Sequence, residues 1–198
     1  SGSLSDRFGR KVVLQWAAIL YAISSLCAGL APSFFLLVVA RMMAGLGVGA
    51  SLIVAPMYIA EISPAKIRGR MVSFNQLNIV IGISVAFFTN YLILQLAKSD
   101  SSFAQTFKFN EYSWRWMLGI ETVPAILYFF FLFLVPRSPR WLAMKGQDEK
   151  ALEVLTRANG KEGAVAVMKD IKESLKNNTS KEKVPVRELF KPALKLVL

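Results

Sequence analysis

The sequence predicts an all-α membrane protein, and three features predict it. Four apolar segments are each long enough to cross a bilayer. Lys and Arg gather on the loops of one side. Beyond the last segment, apolar residues fall at the spacing of amphipathic helices. Hydrophobic residues make up 54% of the 198-residue chain and charged residues 19%. Ordinary globular chains carry roughly 45–50% and 25%, so the balance argues against disorder. With one cysteine, Cys27, and no histidine, the chain can build no intrachain disulfide, ordinary zinc spacing or histidine-based triad.

The elements follow in order. Residues 1–11 form a charged loop, and 12–31 are twenty residues without a charge. Residues 34–59 hold one charge, Arg41. Residues 60–70 are a second charged loop, and 71–97 hold no charge. Residues 98–113 form a polar loop on the other side. The fourth span is 114–135, whose apolar stretch 116–135 contains only Glu121. A bilayer core of about 30 Å needs about 20 helical residues, and each segment meets that. A chain of this size cannot cover four helices that are apolar all round, which argues against a soluble fold. The first run is too long for a signal-peptide core, and its charged flank reads as mid-structure.

Lys and Arg set the orientation. Residues 1–11, 60–70 and 137–198 together carry twenty, and the opposite loop, 96–115, carries three. Both ends of the chain are therefore expected in the cytoplasm. The net charge of +11 is then a positive-inside signature, not a nucleic-acid patch. Trp114 and Trp116 start the fourth span and Trp141 follows its inner end, as an aromatic belt would.

Residues 136–191 read as a cytoplasmic helical linker. Ala151, Leu152, Val154 and Leu155 sit among charges, and Val165, Met168, Ile171 and Leu175 recur at helical steps. Gly160 separates the two helices, and 177–183 is a polar linker. Residues 192–198 turn apolar again, like the start of another span. The chain reads as a piece of a larger membrane protein.

Charges inside a bilayer are costly and mark pathways or relays. Arg41 lies seven residues in from Phe34, and Glu121 seven in from Trp114. Both are then about 10 Å deep, which makes them partners. Two readings stand: a packing ion pair, or a pair coupled to transport. Gly45, Gly47 and Gly49 lie inside a span, so they are not a phosphate loop. Gly45 and Gly49 suggest a close helix contact. Gln76 is polar in an apolar span, with Ile79 and Ile83 on its face. Its amide suits either a hydroxyl ligand or an interhelical hydrogen bond. Cys27 reads as a small core residue. The sequon at 177–179 lies on the cytoplasmic side and reads as chance. No metal set, activated nucleophile or phosphate loop survives, so neither an enzyme nor a cofactor is expected.

At this point four motifs carry a resemblance. Gly2, Asp6, Arg7, Gly9, Arg10 and Lys11 match G-x-x-x-D-R-x-G-R-R/K. Arg41, Gly45, Gly47 and Gly49 match R-x-x-x-G-x-G-x-G. Pro56, Tyr58, Glu61, Pro64, Arg68 and Gly69 match P-x-Y-x-x-E-x-x-P-x-x-x-R-G. Residues 136–142 resemble P-E-S-P-R-W-L. In this order and spacing, they resemble the sugar porters of the major facilitator superfamily, bacterial proton–pentose and proton–hexose symporters in particular. Residues 75–77, 89–91 and 121–125 add to the resemblance to the xylose permease type.

The resemblance implies the major facilitator fold, with this chain a partial N-terminal six-helix half followed by cytoplasmic helices. The four spans would be the third to the sixth. It implies a monosaccharide substrate, a proton as coupling ion and a multi-pass place in a bacterial inner membrane. It makes Gln76 a sugar-binding residue with Ile79 beside it, and Arg41 and Glu121 the proton-coupling residues. Asp6, Arg10, Glu61, Arg68 and Arg140 would form a cytoplasmic charge network. Arg137 departs from the family by replacing a glutamate, so either Glu61 compensates or the network is looser. Facilitated diffusion and a non-transporting sugar sensor remain the alternatives.

Overall fold

The computed structural model describes residues 2–99 and 102–179, and among these every regular element is a helix. The polar stretch past residue 179 and the expected start of a further span at 192–198 lie outside the described residues.

Helix α1 (Gly2–Phe8) leads into α2 (Arg10–Leu30) through Gly9, whose φ is +93°. Side chains rarely adopt that backbone. A Cβ there would also lie 3.2 Å from the Trp141 ring. Pro32 follows the end of α2, where another helical residue would need an N–H. Ser33 opens α3 (Phe34–Ile62), its hydroxyl accepting from the Leu36 N–H at 3.4 Å. After Ser63 and Pro64 the chain turns into α4 (Arg68–Lys98).

A short α5 (Ser102–Thr106) and a left-handed Lys108 (φ +51°) precede α6 (Phe109–Gly119). Helix α7 (Thr122–Leu134) continues its course, and together they make a span of 26 residues, Phe109–Leu134. The break between them has a cause in the sequence. Pro124 has no N–H for the Ile120 carbonyl, its helical partner four residues back. Val123 N–H takes that carbonyl instead, at 3.1 Å. Glu121 therefore sits at a helix N-terminus in the middle of a span.

Four helices, α2, α3, α4 and the α6–α7 pair, are long and apolar enough to cross a membrane. Helix α2 is the hub and packs on α3, α6 and α7. Val13, Leu14 and Ala18 of α2, Val54 and Tyr58 of α3 and Leu132 of α7 form the main core. Small residues set the crossings. A Cβ on Gly47 would lie 3.0 Å from the Ala17 carbonyl oxygen, and one on Gly29 would lie 3.1 Å from Gly119 Cα. The sequence expected Gly45 and Gly49 to make the close contact, and the structure corrects this. Neither would bring a Cβ within 4 Å of anything described. Ala40, Ala44 and Gly47 share the buried face of α3 at steps of four and three, and Gly45 and Gly49 fall off that face. Ser24 donates to the Ala40 carbonyl, and the Ser25 and Thr122 hydroxyls meet at 2.7 Å. Such short polar bonds hold apolar helices together where water is absent. Cys27 is exposed, not core, because it lies off the face carrying Ser24, Ser25 and Ala28.

Helix α8 (Pro139–Met144) begins at Ser138, whose hydroxyl accepts from Trp141 N–H at 3.3 Å. Helix α9 (Asp148–Thr179) turns at Gly160, where φ is +74°. Trp141, Leu142, Ala151, Leu155, Ala164 and Met168 pack together between α8 and α9. Ala164, not Val165, completes that face, because 164 and 168 are one turn apart. Val165 is exposed, and so is Leu152.

Candidate functional site

Two charge clusters and one cavity define the site. The first cluster lies at the Arg10 end of the bundle. Arg10 stands at the N-terminus of α2 and Glu61 in the last turn of α3. Each charge opposes its own helix dipole, and each finds compensation in the other. Arg10 Nη2 lies 3.1 Å from Glu61 Oε1, and Arg10 Nη1 lies 3.0 Å from Asp6 Oδ1. Arg10 also donates to the Ser5 carbonyl at 3.1 Å. The Arg10 side chain is 5% exposed and Glu61 10%. The second Glu61 oxygen accepts from Ser138 Oγ at 2.5 Å, which ties α3 to the start of α8.

Neighbouring bonds reinforce that end. Tyr58 Oη donates to the Pro136 carbonyl at 2.6 Å. Lys11 Nζ donates to the Val135 and Phe133 carbonyls at 2.7 and 3.2 Å, capping the C-terminus of α7. Of the five residues expected in this network, the structure brings Asp6, Arg10 and Glu61 together. Arg68 is exposed at the start of α4, with no ion pair among the described residues. Arg140 turns toward α9 and meets Ser174 Oγ at 3.4 Å. Arg137 makes no ion pair among the described residues either. Its guanidinium lies over the Trp141 ring, 5.1 Å from the centroid. Glu61 is occupied by Arg10 and Ser138, so it does not compensate for Arg137.

The second cluster lies deeper. Arg41 Nη1 donates to Glu121 Oε2 at 3.2 Å, linking α3 to the start of α7. Their side chains are 39% and 31% exposed, far less covered than the first cluster. A charged carboxylate at a helix N-terminus is favoured by the dipole. The same Oε2 accepts from Tyr21 Oη of α2 at 3.0 Å. Sequence reasoning missed Tyr21, which reads as one more aromatic in an apolar run. It also missed the helix break, for which Pro124 was the signal.

A cavity of about 250 Å³ adjoins this pair at Tyr21. Ala17, Ala18 and Tyr21 of α2, Gly47, Val48, Ser51, Leu52 and Ala55 of α3, and Ala125 and Tyr128 of α7 line it, with Asn75 and Ile79 of α4. The walls are almost wholly apolar, with Asn75, Ser51 and the tyrosines as polar points. A pocket with few polar groups suits a small neutral ligand. Ile79 lines it. Gln76 does not; it is exposed on α4, one residue round from Asn75.

The chain matches the profile of the family described as "Sugar (and other) transporter" over residues 1–196. It belongs to that family, which is one of transporters, not enzymes. It is 39% identical to the arabinose-proton symporter of Bacillus subtilis, covering 100% of this chain and 40% of that protein. It is 41% identical to the glucose transport protein of a Synechocystis species, covering 81% of this chain and 34% of that protein. Among solved structures, the proton:xylose symporter XylE bound to 6-bromo-6-deoxy-D-glucose superposes with a TM-score of 0.80 at 34% identity. That match covers 95% of this chain and 41% of that one. The fold is therefore that of the major facilitator superfamily. The chain spans about two-fifths of the length of such relatives.

Proposed function

We propose that the complete protein is a secondary active transporter that carries a monosaccharide, a pentose or hexose, together with a proton. The observation that carries this reading is the Arg41–Glu121 pair, set at a helix break inside the bundle and joined through Tyr21 to a ligand-sized cavity. A purely structural membrane ion pair needs neither a helix break nor a link to a cavity; this one has both. In a carrier whose two halves rock about a midplane site, such a carboxylate can exchange a proton while the arginine changes partners. The kinship with an arabinose-proton symporter supports the same assignment.

In this reading the spans are 12–31, 34–59, 71–97 and 114–135, the third to sixth of twelve, in a bacterial inner membrane. The excess of Lys and Arg puts the Arg10 end in the cytoplasm. The Asp6–Arg10–Glu61 cluster then holds the cytoplasmic ends together in the outward-facing state. Gln76 and Ile79 bind the sugar, with Ile79 inside the cavity and Gln76 on the exposed face of α4, toward the half that this chain does not contain.

The test is uptake of radiolabelled arabinose, xylose and glucose by the full-length protein in liposomes. Accumulation above the external level only under an inward proton gradient is expected. Equilibration that ignores the gradient would make the protein a facilitator. Gln76→Ala is expected to weaken sugar binding by about 1–3 kcal/mol for each sugar hydroxyl left unpaired. Unchanged affinity in a titration would remove Gln76 from the site.

A further inference from the structure

We propose that Tyr21 is the group through which a ligand in the cavity and a proton on Glu121 sense each other. The inference rests on the reading of Glu121 as the coupling carboxylate, and it adds a residue that the sugar-porter motifs do not contain. Two observations carry it. The Tyr21 hydroxyl donates to Glu121 Oε2 at 3.0 Å, on the oxygen that also receives Arg41 Nη1. The same side chain lines the cavity. Among the described residues, Tyr21 is the cavity-lining side chain that hydrogen-bonds to Glu121.

The chemistry follows from what a phenol can do. Its oxygen donates one hydrogen and accepts others. While Glu121 is charged, its carboxylate only accepts, so the Tyr21 O–H is held toward it. The phenol oxygen is then left as an acceptor for a hydroxyl of the ligand. When a proton adds to Oε2, that oxygen gains an O–H and becomes a far weaker acceptor, so Arg41 Nη1 and the Tyr21 O–H are both released from it. The Tyr21 O–H turns and donates into the cavity instead. One proton is gained at Oε2, the Tyr21 O–H bond stays intact, and no covalent bond breaks. The cavity thus offers an acceptor in one protonation state and a donor in the other. A ligand that prefers one state changes the affinity for the proton by the same factor.

The surroundings leave this role to Tyr21. From α3, Arg41 meets the carboxylate itself. From α6, Arg115 is turned away and donates to the Ala31 carbonyl at 3.1 Å. On α7, Tyr128 lines the cavity two turns beyond Glu121. The charged residues of α4, Arg68, Arg70 and Lys98, lie at its two ends, and at the cavity α4 offers the neutral Asn75.

The experiment uses the full-length transporter in detergent or nanodiscs. Arabinose, xylose and glucose are each titrated at an acidic and an alkaline pH. For a sugar that binds, the wild type should show dissociation constants that differ between the two pH values, on the order of 5-fold or more. Tyr21→Phe keeps the ring and removes the hydroxyl. It is expected to bind the sugar with nearly the same constant at both pH values. Tyr128→Phe should keep the wild-type ratio, whatever it does to affinity. A Tyr21→Phe protein that keeps the full wild-type ratio overturns the inference and leaves proton coupling standing. A wild type without any pH dependence overturns the coupling reading and this inference with it. Should the phenylalanine variant fail to fold, difluorotyrosine at residue 21 keeps the shape and makes the hydroxyl more acidic. A changed ratio is then expected, and an unchanged one counts against the link.

Discussion

The two charge clusters use the same chemistry, an arginine against a glutamate at about 3 Å, and are built for opposite ends. Arg10 is buried and Glu61 nearly so, and the partners around them tie further elements to the same knot: α1 through Asp6, α8 through Ser138. Arg41 and Glu121 are joined through a single arginine nitrogen, share their acceptor oxygen with Tyr21, and stand where α6 and α7 break. Burial makes an ion pair expensive to separate. A helix break and a second donor on the same oxygen let the partners of the other pair change. The bundle therefore has one cluster that locks its end and one that can change state without unfolding it.

Predictions that break or sharpen this contrast begin with the lock. Glu61→Gln leaves the buried Arg10 short of a charge partner, and breaking such a pair costs about 3–5 kcal/mol. A large drop in the thermal midpoint of the full-length protein is expected. Glu121→Gln keeps an acceptor for Tyr21 Oη and Arg41 Nη1 and ties fewer elements together, so it should cost only about 0.5–1.5 kcal/mol in the same assay. Equal losses would erase the distinction between the clusters.

Gly9→Ala comes next. The positive φ costs on the order of 1–3 kcal/mol for a residue with a Cβ, and contact with Trp141 adds to it. Trp141→Phe in the same chain should relieve only the contact, which a comparison of melting temperatures would show. Gly47→Ala drives a methyl against the Ala17 carbonyl and should cost about 1–3 kcal/mol by overpacking. Gly45→Ala and Gly49→Ala meet nothing described and should change stability little. A larger loss at Gly45 than at Gly47 in denaturation would show that α3 packs by its other face.

Much of this was legible before the structure, and the reasons differ by residue. The pairing of Arg41 with Glu121 follows from opposite charge and matched depth, since Arg41 lies seven residues in from Phe34 and Glu121 seven in from Trp114. The turn at Gly160 was legible because amphipathic spacing stops on both sides of it. What stayed hidden depends on which way a side chain faces. A run apolar on every side has no periodicity to name its contact face, so the choice of Gly47 over Gly45 and Gly49 could not be read. Motifs name residues, not partners, so Arg68 and Arg140 were grouped with a cluster they do not join. Tyr21 carries no charge and belongs to no motif; only its distance to Glu121 marks it.

The central claim is that the Arg41–Glu121 pair couples transport and the Arg10–Glu61 cluster does not. The most direct measurement places full-length wild type and Glu121→Gln in the same liposomes and follows radiolabelled sugar two ways. One is exchange between equal sugar concentrations, and the other is uptake driven by an inward proton gradient. The account predicts that Glu121→Gln exchanges sugar but never concentrates it. Gradient-driven accumulation by Glu121→Gln at the wild-type level would contradict the account and return Arg41 and Glu121 to a packing role.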